Sequence, residues 1–215
     1  MIQYQHLANF KTSEGHWHDR NVFRPTIQDI YNKHNVKSIL EIGFNIGYSA
    51  SMWLEFDADK KSTLTSVDIG IHGDTVKAAE AVKNLHKDRF EFILCDSRKV
   101  KPQLKDRLFD LAFVDGDHSA DGVRNDIQLC LDLGIPYLII DDWHELDHEG
   151  QHGNSVRPTC EDAFKNKLSL IKVYDLEGIN PPTAKVALYK NDTIHTEKNT
   201  LARQVSLISP KSSRD

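Results

Sequence analysis

A short apolar run that ends in an acid and two glycines constrains this chain more than any other stretch. Residues 39–51 read Ile-Leu-Glu-Ile-Gly-Phe-Asn-Ile-Gly-Tyr-Ser-Ala-Ser, with Glu41 near the end of the run and Gly43 and Gly47 after it. The apolar residues predict a strand, the glycines predict a tight turn, and residues 48–56 have helical character. Because glycine has no Cβ and tolerates positive φ, a ligand can approach the backbone of such a turn closely.

The same strand-then-helix pattern recurs along the chain. Strands are predicted at residues 38–42, 62–67, 90–94, 108–114 and 135–140, and helices at 25–34, with Pro25 in the first turn, 48–56, 76–85, 122–133 and 159–168. Two more strands, 170–176 and 184–189, are joined by a link too short for a parallel crossover, so they should pair antiparallel. The pattern predicts an α/β protein with a Rossmann-like, doubly wound, mainly parallel seven-stranded sheet, an antiparallel last strand and helices on both faces.

Length and patterning predict one domain with a segment on each side. The chain has 215 residues, enough for one sizeable core. We expect a polar, helical segment over residues 1–35, which packs on the domain formed by residues 36–190. Residues 191–215 are polar and lack a periodic pattern, so we expect a tail there.

Composition argues against several classes of protein. The net charge of −5 is unlike that of most nucleic-acid-binding proteins, which carry a basic patch. No apolar run approaches the ~20 residues that cross a bilayer, and residues 1–11 lack the apolar core of a signal peptide. Three widely spaced cysteines favour reduced thiols over disulfides or a thiolate zinc site. We therefore expect a cytoplasmic protein without membrane contact. A homodimer is compatible with the sequence.

An acidic residue follows or closes each of the first five predicted strands. These residues are Glu41, Asp68, Asp96, Asp115 and Asp141. In an open α/β sheet, ligands bind outside the carboxyl ends of the strands, so the acids predict a ligand site there. Any one of them is readily explained as a cap or turn residue, but five in this position are not. The spacing Gly-x-x-x-Gly departs from the dinucleotide fingerprint, and a charged Glu41 would repel a pyrophosphate.

The stretch Glu41-Ile-Gly43-Phe-Asn-Ile-Gly47-Tyr-Ser49 resembles the first motif of class I S-adenosylmethionine (SAM) methyltransferases. The resemblance covers residues 36–190 and is strongest to the small metal-dependent O-methyltransferases of the catechol, caffeoyl-CoA, macrocin and cephalosporin-pathway kinds. It implies methyl transfer from SAM to a hydroxyl of a small molecule, with Asp68 on the ribose hydroxyls and Asp96 and Ser97 near the adenine. The implied cofactor residues are Glu41, Gly43, Phe44, Asn45, Gly47, Tyr48, Ser49, Asp68, Ile69, Asp96, Ser97 and Asp115.

The same resemblance implies a metal site and a base. Asp115, Asp141 and Asp142 match acids that bind Mg²⁺ in that branch, and oxygen ligands suit Mg²⁺ or another hard divalent cation. Asp117 is an alternative ligand. His118 stands where catechol-type enzymes carry a catalytic lysine, and an ordinary histidine is already mostly neutral near pH 7. The alternatives are that the paired acids only cap a loop and that His118 only begins the next helix.

The loop after the fifth strand carries a competing motif. Residues 144–148 fit the His-Glu-x-x-His pattern of zinc proteases, but they directly follow a strand and precede two helix-breaking glycines. We interpret residues 144–158 as a loop that closes over substrate, with Trp143 and His144 as candidate substrate contacts. Two other functions stay open: a metal-independent methyltransferase for another acceptor, and a non-catalytic SAM-binding protein.

Overall fold

A seven-stranded sheet forms the centre of the protein. The computed structural model describes residues 4–11, 20–57, 59–143, 155–175 and 185–194. Its strands are β1 Ser38–Ile42, β2 Thr63–Asp68, β3 Phe90–Leu94, β4 Leu111–Val114, β5 Tyr137–Ile140, β6 Leu168–Asp175 and β7 Lys185–Asn191. The strand order is β3-β2-β1-β4-β5-β7-β6. Strands β1 to β5 are parallel, and β7 is antiparallel to both of its neighbours, which confirms the predicted sheet.

Helices cover both faces of this sheet. They are α1 Arg20–His34, α2 Tyr48–Phe56, α3 Thr75–His86, α4 Lys101–Leu104, α5 Ala120–Asp132 and α6 Val156–Ala163, with 3-10 turns at Gln5–Leu7 and Lys87–Arg89. Successive side chains of β1 point to opposite faces of the sheet and belong to two apolar clusters. Ile39 lies in the cluster that contains Trp53 of α2, and Leu40 lies in the cluster that contains Ile127 of α5. None of the helices in these described ranges is long and apolar enough to cross a membrane.

Helices α1 and α6 begin three or more residues earlier than predicted, in both cases before a proline. Helix α1 begins at Arg20, so Pro25 lies inside the helix rather than in its first turn. Helix α6 begins at Val156 instead of residue 159. Pro158 is its third residue, where a backbone N–H has no partner within the helix, so the proline costs no hydrogen bond there.

Strand β4 begins later than predicted, at Leu111 instead of residue 108. Leu108 is 90% exposed and lies outside the sheet. The carboxylate of Asp110 accepts hydrogen bonds from the backbone N–H groups of Lys37 and Ser38, at 2.8 and 3.0 Å. This carboxylate fixes the start of β1 beside β4, and hence the level at which both strands end.

Candidate active site

The turn after β1 requires its two glycines. Gly43 has φ +92° and Gly47 has φ +83°. A Cβ at Gly43 would lie 1.9 Å from the carbonyl oxygen of Asp115, and a Cβ at Gly47 would lie 2.5 Å from the Phe44 ring. Asn45, between them, also has positive φ. The turn is therefore pressed against the end of β4, which brings two of the predicted site segments together.

Asp68, the last residue of β2, organises this turn. One carboxylate oxygen accepts hydrogen bonds from the N–H groups of Phe44 and Asn45, at 2.8 and 2.9 Å, and the other accepts from the N–H of Gly70 at 2.6 Å. A pyrophosphate bound at this turn would need such N–H groups. Because a carboxylate already pairs with two of them, the turn is not built for a dinucleotide.

Glu41 and Ser49 lie beneath the turn rather than on its surface. The Glu41 side chain is 0% exposed, and its carboxyl accepts hydrogen bonds from the hydroxyl of Ser49, at 2.6 Å, and from that of Ser66. Burial, with smaller contributions from the charges of Asp115 and Asp68, raises the pKa of Glu41 to about 8. The carboxyl is therefore mostly neutral at pH 7, so the expectation that its charge repels a pyrophosphate is wrong.

Two aromatic residues of the motif contribute to the core. The Phe44 side chain is buried against the rings of Phe90 and Phe92, with centroid distances of 5.7 and 5.1 Å. The half-buried Tyr48 ring lies 5.8 Å from that of Tyr4. A ligand above the turn would therefore meet the main chain of Phe44 rather than its side chain.

Apolar and acidic groups form the wall beyond Asp68. Ile69 is 52% exposed and Leu94, at the end of β3, is 57% exposed. Asp96 accepts from the backbone N–H and the Nε of Arg98, at 2.9 and 3.0 Å, and this contact keeps the pKa of Asp96 below its usual range. The Ser97 hydroxyl accepts a hydrogen bond from the side chain of Asn125 on α5, at 3.2 Å. The predicted residues after β2 and β3 thus share one edge of the sheet.

His118 lies between two carboxylates at the ends of β4 and β5. Its Nδ1 is 3.2 Å from Oδ2 of Asp142, and its Nε2 is 3.6 Å from Oδ1 of Asp115. Parallel pairing of Val114 with Ile140 puts the two strand ends at the same level. The imidazole is thereby aligned between two carboxylates.

The interpretation that His118 only begins helix α5 does not account for this contact. Ser119 is the N-cap of that helix, and its hydroxyl accepts a hydrogen bond from the N–H of Gly122 at 3.1 Å. Asp117 accepts from the N–H of Ser119 at 2.9 Å, which is a turn role. The His118 side chain is not needed for either contact.

The predicted metal site is not supported. Across the residues that the structure describes, no group of three or more His, Cys, Asp or Glu side chains is arranged to hold a metal ion. Asp115 and Asp142 flank the His118 imidazole instead, and Asp141 is buried. The acids do converge on one edge, as expected, but the group between them is an imidazole.

Trp143, a predicted substrate contact, is buried rather than open. It is 5% exposed, and its Nε1 donates to the hydroxyl of Tyr189 on β7 at 2.9 Å. His144 and the zinc-type pattern of residues 144–148 lie outside the described residues. Two residues near the site were not predicted from the sequence. Ser66 has the pattern of an ordinary strand residue, and Arg157 has that of an ordinary residue on a surface helix.

Comparison with known proteins agrees with this architecture. Residues 40–143 match a family model described as "Methyltransferase domain". No curated protein sequence matches the chain.

Solved structures with a similar fold come from several organisms. The Bacillus cereus O-methyltransferase in complex with SAH is 15% identical, with 86% of each chain covered and a TM-score of 0.62. TomG, the Streptomyces achromogenes O-methyltransferase of tomaymycin synthesis, in complex with SAM, is 15% identical, with 78% of each chain covered and a TM-score of 0.59. The N-methyltransferase NodS from Bradyrhizobium japonicum WM9, in complex with SAH, is 16% identical, covering 88% of this chain and 98% of its own, with a TM-score of 0.58. At these identities, the likeness concerns the fold.

Proposed function

We propose that this protein transfers a methyl group from SAM to a hydroxyl of a small molecule, because residues 40–143 match a methyltransferase domain model and the fold is similar to that of solved methyltransferases. The observation that carries the proposal is the imidazole of His118, aligned between Asp115 and Asp142 beside the glycine turn. SAM is the proposed donor because structures of similar fold hold SAM or its product SAH.

The residues around the turn fit such a donor. Gly43 lets the turn lie against the main chain of Asp115, and Asp68 offers carboxylate oxygens to ribose hydroxyls. The exposed side chains of Ile69 and Leu94 offer an apolar surface to the adenine, with Asp96 beside it. SAM carries a positive sulfonium, which this acid-rich edge stabilises better than it would a phosphate.

His118 supplies the proton acceptor in the proposed reaction. A proton on Nδ1, which faces Oδ2 of Asp142 at 3.2 Å, leaves the lone pair of the neutral imidazole on Nε2. Nε2 takes the hydroxyl proton while the substrate oxygen forms its bond to the methyl carbon. The carbon–sulfur bond breaks, its electron pair stays on sulfur, and SAH is released. The imidazolium, stabilised by Asp115 at 3.6 Å, then returns its proton to solvent.

A divalent cation is the second way to activate the hydroxyl, since a Lewis acid lowers the pKa of a bound hydroxyl. The acids Asp115, Asp141 and Asp142 at two neighbouring strand ends favour this alternative. The imidazole would have to leave its place between the carboxylates for a metal to enter. Turnover that disappears on chelation and returns with Mg²⁺ would contradict proton transfer to His118 without a metal.

Calorimetry with SAM and SAH tests the donor, and a panel of phenols, catechols and sugars with mass detection tests the acceptor. We expect SAM to bind and a hydroxyl compound to gain a methyl group. Absence of SAM binding would contradict the proposal. Binding with methylation of amines alone would contradict its hydroxyl part, and binding without turnover on any compound would favour the non-catalytic alternative.

A further inference from the structure

Arg157, the second residue of α6, is held on the face of a buried tryptophan. Its guanidinium carbon lies 4.5 Å from the ring centroid of Trp143. The indole Nε1 donates to the hydroxyl of Tyr189 at 2.9 Å, and the backbone N–H of Trp143 donates to the carbonyl of Lys185 at 3.0 Å, so both the ring and the main chain of Trp143 are held. Trp143 is therefore a rigid platform for the guanidinium.

Glu161 fixes the rotation of the same group. Its carboxylate accepts a hydrogen bond from Nε of Arg157 at 2.8 Å, one helical turn along α6. An exposed pair of this kind contributes little to stability, but together with the ring contact it defines the plane of the guanidinium. A guanidinium ordered in advance loses less entropy when it binds a planar oxyanion.

The platform lies on the rim of the proposed site. Trp143 directly follows Asp142, whose carboxylate is 3.2 Å from His118. From the other side, the backbone N–H of Ser155, two residues before Arg157, donates to the carbonyl of His118 at 3.2 Å. Both segments that hold the guanidinium are thus anchored to the residue that we propose as the base.

The positive charge of Arg157 bears on which methyl acceptor the site can bind. The groups next to His118 are carboxylates, so an anionic acceptor would be repelled at that point and needs a cation elsewhere. Arginine, unlike lysine, presents a flat fork that matches a carboxylate with two parallel hydrogen bonds. The stacked guanidinium is such a group at the rim.

We propose that Arg157 binds a carboxylate of the methyl acceptor, which makes the substrate class a hydroxy acid whose hydroxyl faces His118. This inference rests on the proposed function. Arg157 thereby determines specificity, whereas proton transfer is the task of His118.

Two matched ligands and three variants test the assignment. Binding of SAH is measured first by calorimetry, and its absence would be a failure of the proposed function rather than of this inference. The SAH-loaded protein is then titrated with 3,4-dihydroxybenzoate and with its methyl ester. The variants are Arg157→Gln, Arg157→Lys and, as control, Arg124→Gln, which breaks a similar exposed helical ion pair with Asp121 on α5.

We expect the wild type and Arg124→Gln to bind the acid at least about tenfold more tightly than the ester. Arg157→Gln should lose that preference, and Arg157→Lys should keep part of it. A purely structural role would lower the melting temperature of Arg157→Gln and leave the preference for the acid intact. Equal binding of acid and ester by the wild type, no binding of the acid, or a preference that survives in Arg157→Gln would each overturn the proposal.

Discussion

The Cα of Gly43 lies so close to the main chain of Asp115 that a Cβ at residue 43 would be 1.9 Å from the Asp115 carbonyl oxygen. This contact joins the glycine turn after β1, the proposed cofactor site, to the segment that carries the proposed base. Anything that separates the two backbones should disturb cofactor and acceptor binding together.

Gly43→Ala should therefore weaken SAM binding by at least about tenfold and lower the free energy of unfolding by about 1–3 kcal/mol. The alanine would have to adopt φ +92° and push Asp115 away. Calorimetry and urea unfolding measure the two effects. Gly73→Ala is the control, because a Cβ there meets nothing within 4 Å. An unchanged SAM affinity in Gly43→Ala would contradict the role of the turn.

Asp68→Ala should abolish measurable SAM binding, since it removes both the proposed ribose acceptor and the partner of two turn N–H groups. Unpaired N–H groups should also lower the free energy of unfolding by about 1–3 kcal/mol. Asp59→Ala, at an exposed position, serves as the control. Retention of wild-type affinity would place the ligand elsewhere.

The buried Glu41 predicts a pH dependence of stability. Its pKa is about 8 in the folded chain against a reference value of 4.5. Between these values the folded state holds a proton that the unfolded state has lost, so stability falls as pH rises from about 4.5 to about 8 and is then level.

Glu41→Gln should remove this slope, because the amide keeps the shape of the carboxyl and does not ionise. Relative to wild type, the variant should gain stability on the order of a few kcal/mol between about pH 5 and about pH 8.5, as measured by urea unfolding at both values. Identical pH profiles for the two proteins would show that the Glu41 carboxyl is ionised at neutral pH in the folded state.

His118→Ala should lower kcat by ~10²–10⁴ while SAM affinity stays close to that of wild type. The melting temperature should change little, because Ser119 and not His118 caps α5. Ser119→Ala gives the converse result, a loss of about 1 kcal/mol in stability with kcat largely retained. A fall in kcat of less than about threefold in His118→Ala would assign the proton to another acceptor.

Local pattern was enough for most of the scaffold. Strand β1, helix α2 and strand β3 have the predicted bounds, since apolar periodicity and the two glycines specify them without help from distant residues. Helix α4 was not predicted, because four residues are too few to display a period. The start of β4 also depends on a distant segment, because Asp110 accepts hydrogen bonds from the backbone N–H groups of Lys37 and Ser38 at the start of β1.

The sequence alone determined the sheet, the glycine turn and the edge at which the acids gather, because strand period, glycine conformation and parallel connections are local properties of the chain. Tertiary structure decided how each of these residues acts. Burial keeps Glu41 neutral, the contact with Tyr189 of β7 holds Trp143 in the core rather than in an open pocket, and the parallel pairing of β4 with β5 puts His118 between two carboxylates. Burial and the distance between charges set the pKa and the accessibility of a group, and both quantities arise only when segments far apart in the chain meet.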